Sequence, residues 1–162
     1  DEVLSRRAVT LTAAVYGQIL LGATMRHTGA GLAIPDFPLS YGRLIPPFWN
    51  TAILVHFAHR LGAILVASLV LVVVWRIRRK HRSHPDLVRP AWLLMAVVVL
   101  QITLGAFVVL TGKNEVINTL HVATGALVFG TWVFLTLRMF RLRLCQPESV
   151  HQRSFGTIKH EA

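Results

Sequence analysis

Hydrophobic residues in this chain occur in four long runs that are separated by shorter polar stretches. A helix of about 20 mostly apolar residues is long enough to cross a lipid bilayer. The four runs cover residues 8–25, 51–75, 91–111 and 116–137. Because a spanning helix satisfies its own backbone hydrogen bonds, the pattern predicts an all-α integral membrane protein. We expect a four-helix bundle over residues 1–141 and a polar tail over residues 142–162.

Composition supports a membrane protein rather than a soluble one. Of the 162 residues, 54% are hydrophobic and only 15% are charged, whereas a soluble domain usually has about 25% charged residues. The net charge of +10 could also indicate RNA binding, for example by the basic cluster at 76–82. However, the charges lie in clusters between apolar runs and do not cover a polar surface. We therefore expect contact with the lipid bilayer and no nucleic-acid partner.

The basic residues also predict an orientation. Thirteen of the 17 Lys and Arg residues lie at the N-terminus, in the segment 76–90 and from residue 138 onward, and only three lie in the connections on the other side. Loops rich in Lys and Arg stay in the cytoplasm. Both termini are therefore predicted to be cytoplasmic, with the long loop at 26–50 outside.

An internal repeat relates the two halves of the predicted bundle. Residues 18–23 in the first run read QILLGA, and residues 101–106 in the third run read QITLGA. In the second run His59 is followed by a Gly-Ala pair, and in the fourth His121 is followed by another. The repeat predicts two helix pairs of similar design, and its small residues are typical of membrane helices in close contact.

Ionisable side chains within the predicted spans are candidates for function, because they are costly in lipid. They are His56, His59 and Arg60 in the second span and His121 in the fourth. At 1.5 Å per residue, His59 and His121 lie roughly 8–12 Å below the outer surface. Two imidazoles at one depth suit axial ligation of one heme iron. Hydrogen bonding between helices and proton transport are the alternatives.

Partners of these groups can also be predicted. Iron would satisfy one ring nitrogen of each histidine, and the other nitrogen needs an acceptor such as a backbone carbonyl or water. The guanidinium of Arg60 would pair with a heme propionate or, without a ligand, with a carbonyl or water. The outer loop alternates Gly and Pro with apolar residues, so we expect it to fold back over the bundle and cover a cofactor. Arg26 could then reach a propionate. The alternative to a loop that covers a cofactor is an ordinary surface loop.

The outer loop and the spans together resemble the heme A synthase family of cytochrome oxidase assembly. The loop carries the specific pattern Arg26-x-Thr28-Gly29-x-Gly31-Leu32-x-x-Pro35-Asp36-x-Pro38. The His59-Arg60 pair, the sequence Gln101-x-x-Leu104-Gly105 and His121 are also similar to that family. The resemblance extends to about residue 141.

The resemblance implies an eight-helix, pseudo-symmetric oxidoreductase of the bacterial plasma membrane, built from two four-helix halves. Such an enzyme oxidises the C8 methyl group of heme O to the formyl group of heme A. His59 and His121 would be the axial ligands of the heme in this half, with Arg60, Arg26 and His56 nearby. The implied partners are the other four-helix half, heme O synthase and cytochrome oxidase assembly factors.

Two departures indicate which half this chain represents. The family's substrate-handling half has a glutamate three residues before its first ligand histidine, where this chain has His56. A cysteine often precedes the Pro-Asp pair in the loop, where this chain has Ile34. With Asp1 in place of an initiator Met, the chain is interpreted as the C-terminal half. It would bind heme b without turnover by itself, and His56 would contact His59 without touching iron. A bis-histidine membrane cytochrome and a non-catalytic assembly or transport protein are the rival hypotheses.

Overall fold

The computed structural model describes residues 2–144 and the side chains of residues 8–141. It contains four long helices and one short 3₁₀ turn, Ala30–Leu32. The long helices are α1, Glu2–His27; α2, Thr51–Lys80; α3, Pro85–Leu110; and α4, Glu115–Leu144. Each of the four contains a segment long and apolar enough to cross a membrane. The predicted all-α membrane fold is therefore confirmed, while the predicted tail lies beyond the described residues from position 145 onward.

The helices form an up-and-down bundle. Consecutive helices pack against each other, and α4 closes the bundle by packing against α1. The start of α1, the turn at 81–84 and the end of α4 lie together at what we call the basic end. The segment 28–50 and the turn at 111–114 lie at the opposite end, which we call the loop end.

The connection between α2 and α3 is shorter than the sequence predicts. The segment 76–90 was expected to be a loop, but only residues 81–84 lie outside the helices. Hydropathy identifies only the part of a helix that crosses the apolar layer of the membrane. The helices themselves extend beyond that layer, α2 to Lys80 and α3 from Pro85. Arg78 lies over the ring of Trp92 at 4.9 Å, and Arg79 lies over Trp75 at 5.1 Å. These cation–π contacts add to the stability of the helical extensions.

Local signals set the helix starts at the loop end. The side chain of Asn50 accepts a hydrogen bond from the backbone N–H of Ile53 at 2.8 Å and caps α2. Asn114 accepts from the N–H groups of residues 116 and 117 in the same way at the start of α4. Gly112 has a φ of 62°, which permits the tight turn between α3 and α4.

Apolar packing is concentrated in the half of the bundle nearest the basic end. All four helices contribute to this cluster, and Trp132 is its largest fully buried member. The indole N–H of Trp132 donates to Thr12 Oγ1 at 2.8 Å, and that hydroxyl donates to the carbonyl of Ala8 at 2.9 Å. The buried polar side chains His56 and Thr124 lie in the other half. The buried histidine of the bundle therefore lies in the loop-end half, and the other half is mainly apolar.

Candidate functional site

Two histidine–glutamine pairs occupy equivalent places in the two helical hairpins. In the first hairpin, Nε2 of Gln18 donates to Nδ1 of His59 at 3.1 Å and to the His59 carbonyl at 2.8 Å. In the second, Nδ1–H of His121 donates to the carbonyl of Gln101 at 3.1 Å, and the Gln101 amide nitrogen lies 3.4 Å from Nε2 of His121. The repeat seen in the sequence is therefore a repeat of side-chain contacts.

Glycines make room for these rings and amides. A Cβ atom on Gly22 would lie 3.0 Å from Cε1 of His59, and one on Gly105 would lie 3.0 Å from Cε1 of His121. A Cβ on Gly62 would overlap the side chain of Gln18, and one on Gly125 would lie 3.1 Å from the amide of Gln101. The small residues of the repeat were expected to serve mainly helix packing. Its four glycines, however, each face a histidine or glutamine side chain.

The two histidines lie at similar depths on diagonal helices. His59 is eight residues into α2 and His121 six residues into α4, which corresponds to about 12 and 9 Å along the helix axis. The structure therefore places the two residues that sequence reasoning selected as a pair at similar levels of the bundle.

Arg60 and His56 bind the outer loop. Arg60 donates to the carbonyls of Leu39 at 2.8 Å, Asp36 at 2.7 Å and Ile34 at 3.2 Å. Its Nε–H donates to Nε2 of His56 at 3.1 Å. The guanidinium thus has the carbonyl partners expected in the absence of a ligand. Three of its hydrogen bonds hold the loop, and the fourth holds the ring of His56. The assignment of Arg60 to a propionate stays a prediction.

His56 is the most buried of the span histidines, with 2% of its surface exposed. The backbone N–H of Ile34 lies 3.3 Å from its Nδ1, on the side opposite the Arg60 bond. A neutral imidazole has only one acceptor nitrogen. We assign it to Nε2, which accepts the shorter hydrogen bond, the one from Arg60. Within the described residues, the hydrogen bonds of His56 are to Arg60 and the loop and none is to His59. Its expected contact with His59 stays a prediction.

The loop motif folds into a compact turn against α1 and α2. The Asp36 carboxylate accepts from the backbone N–H groups of Gly42 at 2.8 Å and Tyr41 at 2.7 Å. These bonds, that of Gly42 first, together with the nearby Arg60, hold the pKa of Asp36 below its usual value of 3.8. The Tyr41 hydroxyl donates to the carbonyl of Ala33, and Ile34 is fully buried. The loop therefore folds back on the bundle, as expected.

Arg26 stands apart from this network. It lies in the last turn of α1 and is exposed, as is the neighbouring His27. Among the described side chains, 8–141, its guanidinium has no hydrogen bond or ion pair. Arg26 is at the loop end, where a propionate would be reached, but its assignment stays a prediction.

The donor set fits a heme iron held between α2 and α4. An axial imidazole needs a lone pair on the coordinating nitrogen and an acceptor for the other N–H. At His121 the Nδ1–H bond to Gln101 leaves the lone pair on Nε2, and a ligand there would replace the Gln101 amide nitrogen that lies 3.4 Å away. At His59 the Gln18 amide donates to Nδ1, so coordination through Nε2 requires these roles to reverse. The Gln101 Oε1 atom is buried without a partner within the described residues, which makes this amide available to a ligand.

Gln18 and Gln101 contact the two histidines, and sequence reasoning did not select them as site residues. Gln18 and Gln101 open the two repeated motifs, so the signal was present in the chain. A neutral amide is less conspicuous in a span than a histidine or an arginine. Its importance follows from its position, one helix turn before the glycine that admits the histidine ring.

Comparison with known proteins identifies the family of this chain. Residues 2–133 match the profile of a family described as cytochrome oxidase assembly protein. The heme A synthase of Symbiobacterium thermophilum is 40% identical over 121 residues, which cover 75% of this chain and 38% of that protein. The heme A synthase of Shouchella clausii is 32% identical, with 98% of this chain and 51% of that protein aligned. The chain thus spans about half the length, or less, of these curated relatives. The match covers the helices and loop that carry the site, and the chain belongs to the heme A synthase family of cytochrome oxidase assembly proteins.

Proposed function

We propose that this four-helix unit binds one b-type heme between α2 and α4, with His59 and His121 as axial ligands. It would do so as part of a membrane oxidoreductase that converts heme O to heme A. The observation that carries this proposal is the duplicated arrangement in which a glutamine and a glycine position each imidazole. Family membership supports a role in heme A biosynthesis.

Each residue of the site has a distinct part in this proposal. Nδ1–H of His121 is held by a backbone carbonyl, which orients the ring and raises its basicity as a ligand. Gln18 orients His59 in the first hairpin. Arg60 and His56 hold the loop against α2 and limit the access of water to the loop end. The bound heme supplies an iron that changes its oxidation state reversibly.

The remainder of the enzyme would lie outside this chain. We place the substrate heme in a second four-helix unit, since the curated relatives are about twice as long as the aligned region or longer. His56, where the substrate-handling half is expected to have glutamate, supports assigning the heme b role to this unit. Heme O synthase and oxidase assembly factors are the proposed partners. Both termini would face the cytoplasm of a bacterium, with the segment 26–50 outside.

Absorption spectroscopy tests heme ligation directly. The chain is purified in detergent, reconstituted with hemin and compared with His59→Ala, His121→Ala and His27→Ala. We expect the sharp reduced α-band of a bis-histidine low-spin heme in the parent chain. Either ligand substitution should abolish this band, and His27→Ala should retain it because His27 is exposed at the end of α1. A parent chain without heme after reconstitution, or a band that survives both ligand substitutions, would contradict the proposal.

Turnover distinguishes a synthase from an electron-transfer cytochrome. A protein that contains this unit together with the second four-helix unit, supplied with heme O, should form heme A, which chromatography of the extracted hemes detects. If that protein has the bis-histidine spectrum but leaves heme O unchanged, the result would favour the cytochrome. In that case the assignment of His59 and His121 would stand while the proposed reaction would fail.

A further inference from the structure

A second candidate binding site lies on the outer surface of the bundle, away from the histidines. It is a groove of about 640 Å³ between α3 and α4 in the half nearest the basic end. Its lining is almost wholly apolar and includes Leu93 on α3 and Ala126, Gly130 and Phe134 on α4. Arg89 lies at the end of the groove nearest the basic end.

The groove exists because α4 carries small residues on this face. Ala126 and Gly130 are four residues apart and therefore lie above one another on the helix. A Cβ atom at Gly130 would have no other atom within 4 Å, so the space beside this residue is open. The side chains of Leu93 and Phe134, which are 57% and 47% exposed, form the walls. From Ala126 to Phe134 the groove follows α4 for about 12 Å.

One end of the groove carries a positive charge, whereas the rest of its lining is almost wholly apolar. Arg89 is exposed, and among the described side chains, those of residues 8–141, its guanidinium has no carboxylate or hydrogen-bond partner. The neighbouring Arg138 differs, because it lies 3.4 Å from Asp86 and 5.1 Å from the ring of Phe134. The groove therefore combines an apolar channel with an uncompensated positive charge at one end.

We propose that the groove binds an anionic phospholipid of the surrounding bilayer, with the phosphate on Arg89 and an acyl chain along Leu93 and Gly130. Both helices contain membrane-spanning segments, so the groove opens toward lipid chains. Arg89 is four residues from the start of α3, about 6 Å along the axis, which is a suitable depth for a headgroup. A long arginine side chain can place its charge at this level while its stem lies on apolar surface. This proposal does not depend on heme binding.

Lipid titration by native mass spectrometry tests the site. The purified chain is titrated with phosphatidylglycerol and with phosphatidylcholine of identical acyl chains. We expect tighter binding of phosphatidylglycerol, and Arg89→Gln should weaken it about five-fold, since one basic residue near a membrane surface contributes about 1 kcal/mol. Arg82→Gln removes the same charge from the turn at 81–84 and should leave the affinity unchanged. Gly130→Leu fills the groove and should weaken binding of both lipids.

Several results would overturn the proposal. Equal affinity for the two lipids together with no effect of Arg89→Gln would eliminate the phosphate contact. Unchanged binding in Gly130→Leu, with helicity and melting temperature preserved, would show that lipid binds elsewhere. Gly130→Ala, whose Cβ enters open space, keeps the test valid if the leucine variant fails to fold, because the alanine should weaken binding less but measurably. A dimer that Gly130→Leu dissociates would identify the groove as a contact between two copies of the chain.

Discussion

Substitution of Gly22 by alanine should lower the affinity for heme while it leaves the unfolding free energy of the bundle almost unchanged. The new Cβ would lie 3.0 Å from Cε1 and 3.5 Å from Nδ1 of His59, whereas carbon atoms in favourable contact are about 3.5–4.0 Å apart. The imidazole must therefore retreat by about 0.5 Å. Such a shift rotates the side chain away from its preferred rotamer and lengthens its bond to Gln18; the cost is at most that of a side chain about 30° off its rotamer, about 0.5–1.5 kcal/mol.

Two opposing effects determine the result. Replacement of glycine by alanine inside a helix stabilises the helix by roughly 0.5–1 kcal/mol, so the change in unfolding free energy should be close to zero. The displaced ring, however, lowers the affinity for heme. The cost of the shift corresponds to a loss of about two- to twelve-fold in heme affinity.

Hemin titration, followed by absorption, and thermal unfolding measure the two effects. Gly17→Ala is the matched control, because Gly17 lies on the same helix and a Cβ there would meet nothing within 4 Å. It should raise the melting temperature and leave heme affinity unchanged. Gly105→Ala should reproduce the loss in the second hairpin, where the Cβ would lie 3.0 Å from His121. Equal heme affinity in Gly22→Ala and Gly17→Ala would refute the assigned position of the His59 ring.

Two further predictions concern the loop and the mainly apolar half of the bundle. The pKa of Asp36 is lowered by the hydrogen bond from Gly42, so the carboxylate stabilises the fold above pH 3.8 and this contribution is lost as the pH falls through the lower, folded-state pKa. Asp36→Asn should therefore melt below the parent chain near neutral pH, with a difference that shrinks below pH 3.8; a difference constant across this range would contradict the assignment. Trp132→Phe removes the donor to Thr12 and should lower the unfolding free energy by about 1–3 kcal/mol, as measured by denaturant titration. The exposed Trp75→Phe is its control, and an equal effect of the two substitutions would disagree with the buried hydrogen bond.

The helices could be predicted because lipid imposes a simple requirement on the chain. A run of about 20 apolar residues has no other stable conformation in a bilayer. The same reasoning does not locate helix ends, since residues 76–80 and 85–90 are helical although they are polar or basic in part. Their conformation depends on local contacts, such as those between arginines and tryptophans, that hydropathy does not measure.

The site could be predicted only where a residue was costly in lipid. His59, His121 and Arg60 were found for that reason, and carbonyls were expected as partners, but the residues that supply those carbonyls were not predicted. The carbonyls that Arg60 binds belong to a segment more than 20 residues away in the chain, and no periodic pattern specifies such contacts. Gln18 and Gln101 were visible only as members of a repeat whose glycines had a simpler explanation in helix packing.

The two hairpins present the same residue types to the space between them, which bears on how a flat ligand there would choose its orientation. Such a ligand meets a glutamine, a glycine and an imidazole from either side. Turning it over would therefore exchange almost equivalent surroundings, and the energy that separates the two arrangements must come from where the hairpins differ. The first hairpin carries the loop fastened by Arg60, whereas the second closes with the four residues 111–114. For an asymmetric macrocycle, the difference in binding energy between the two orientations would thus arise mainly from contacts at the loop end.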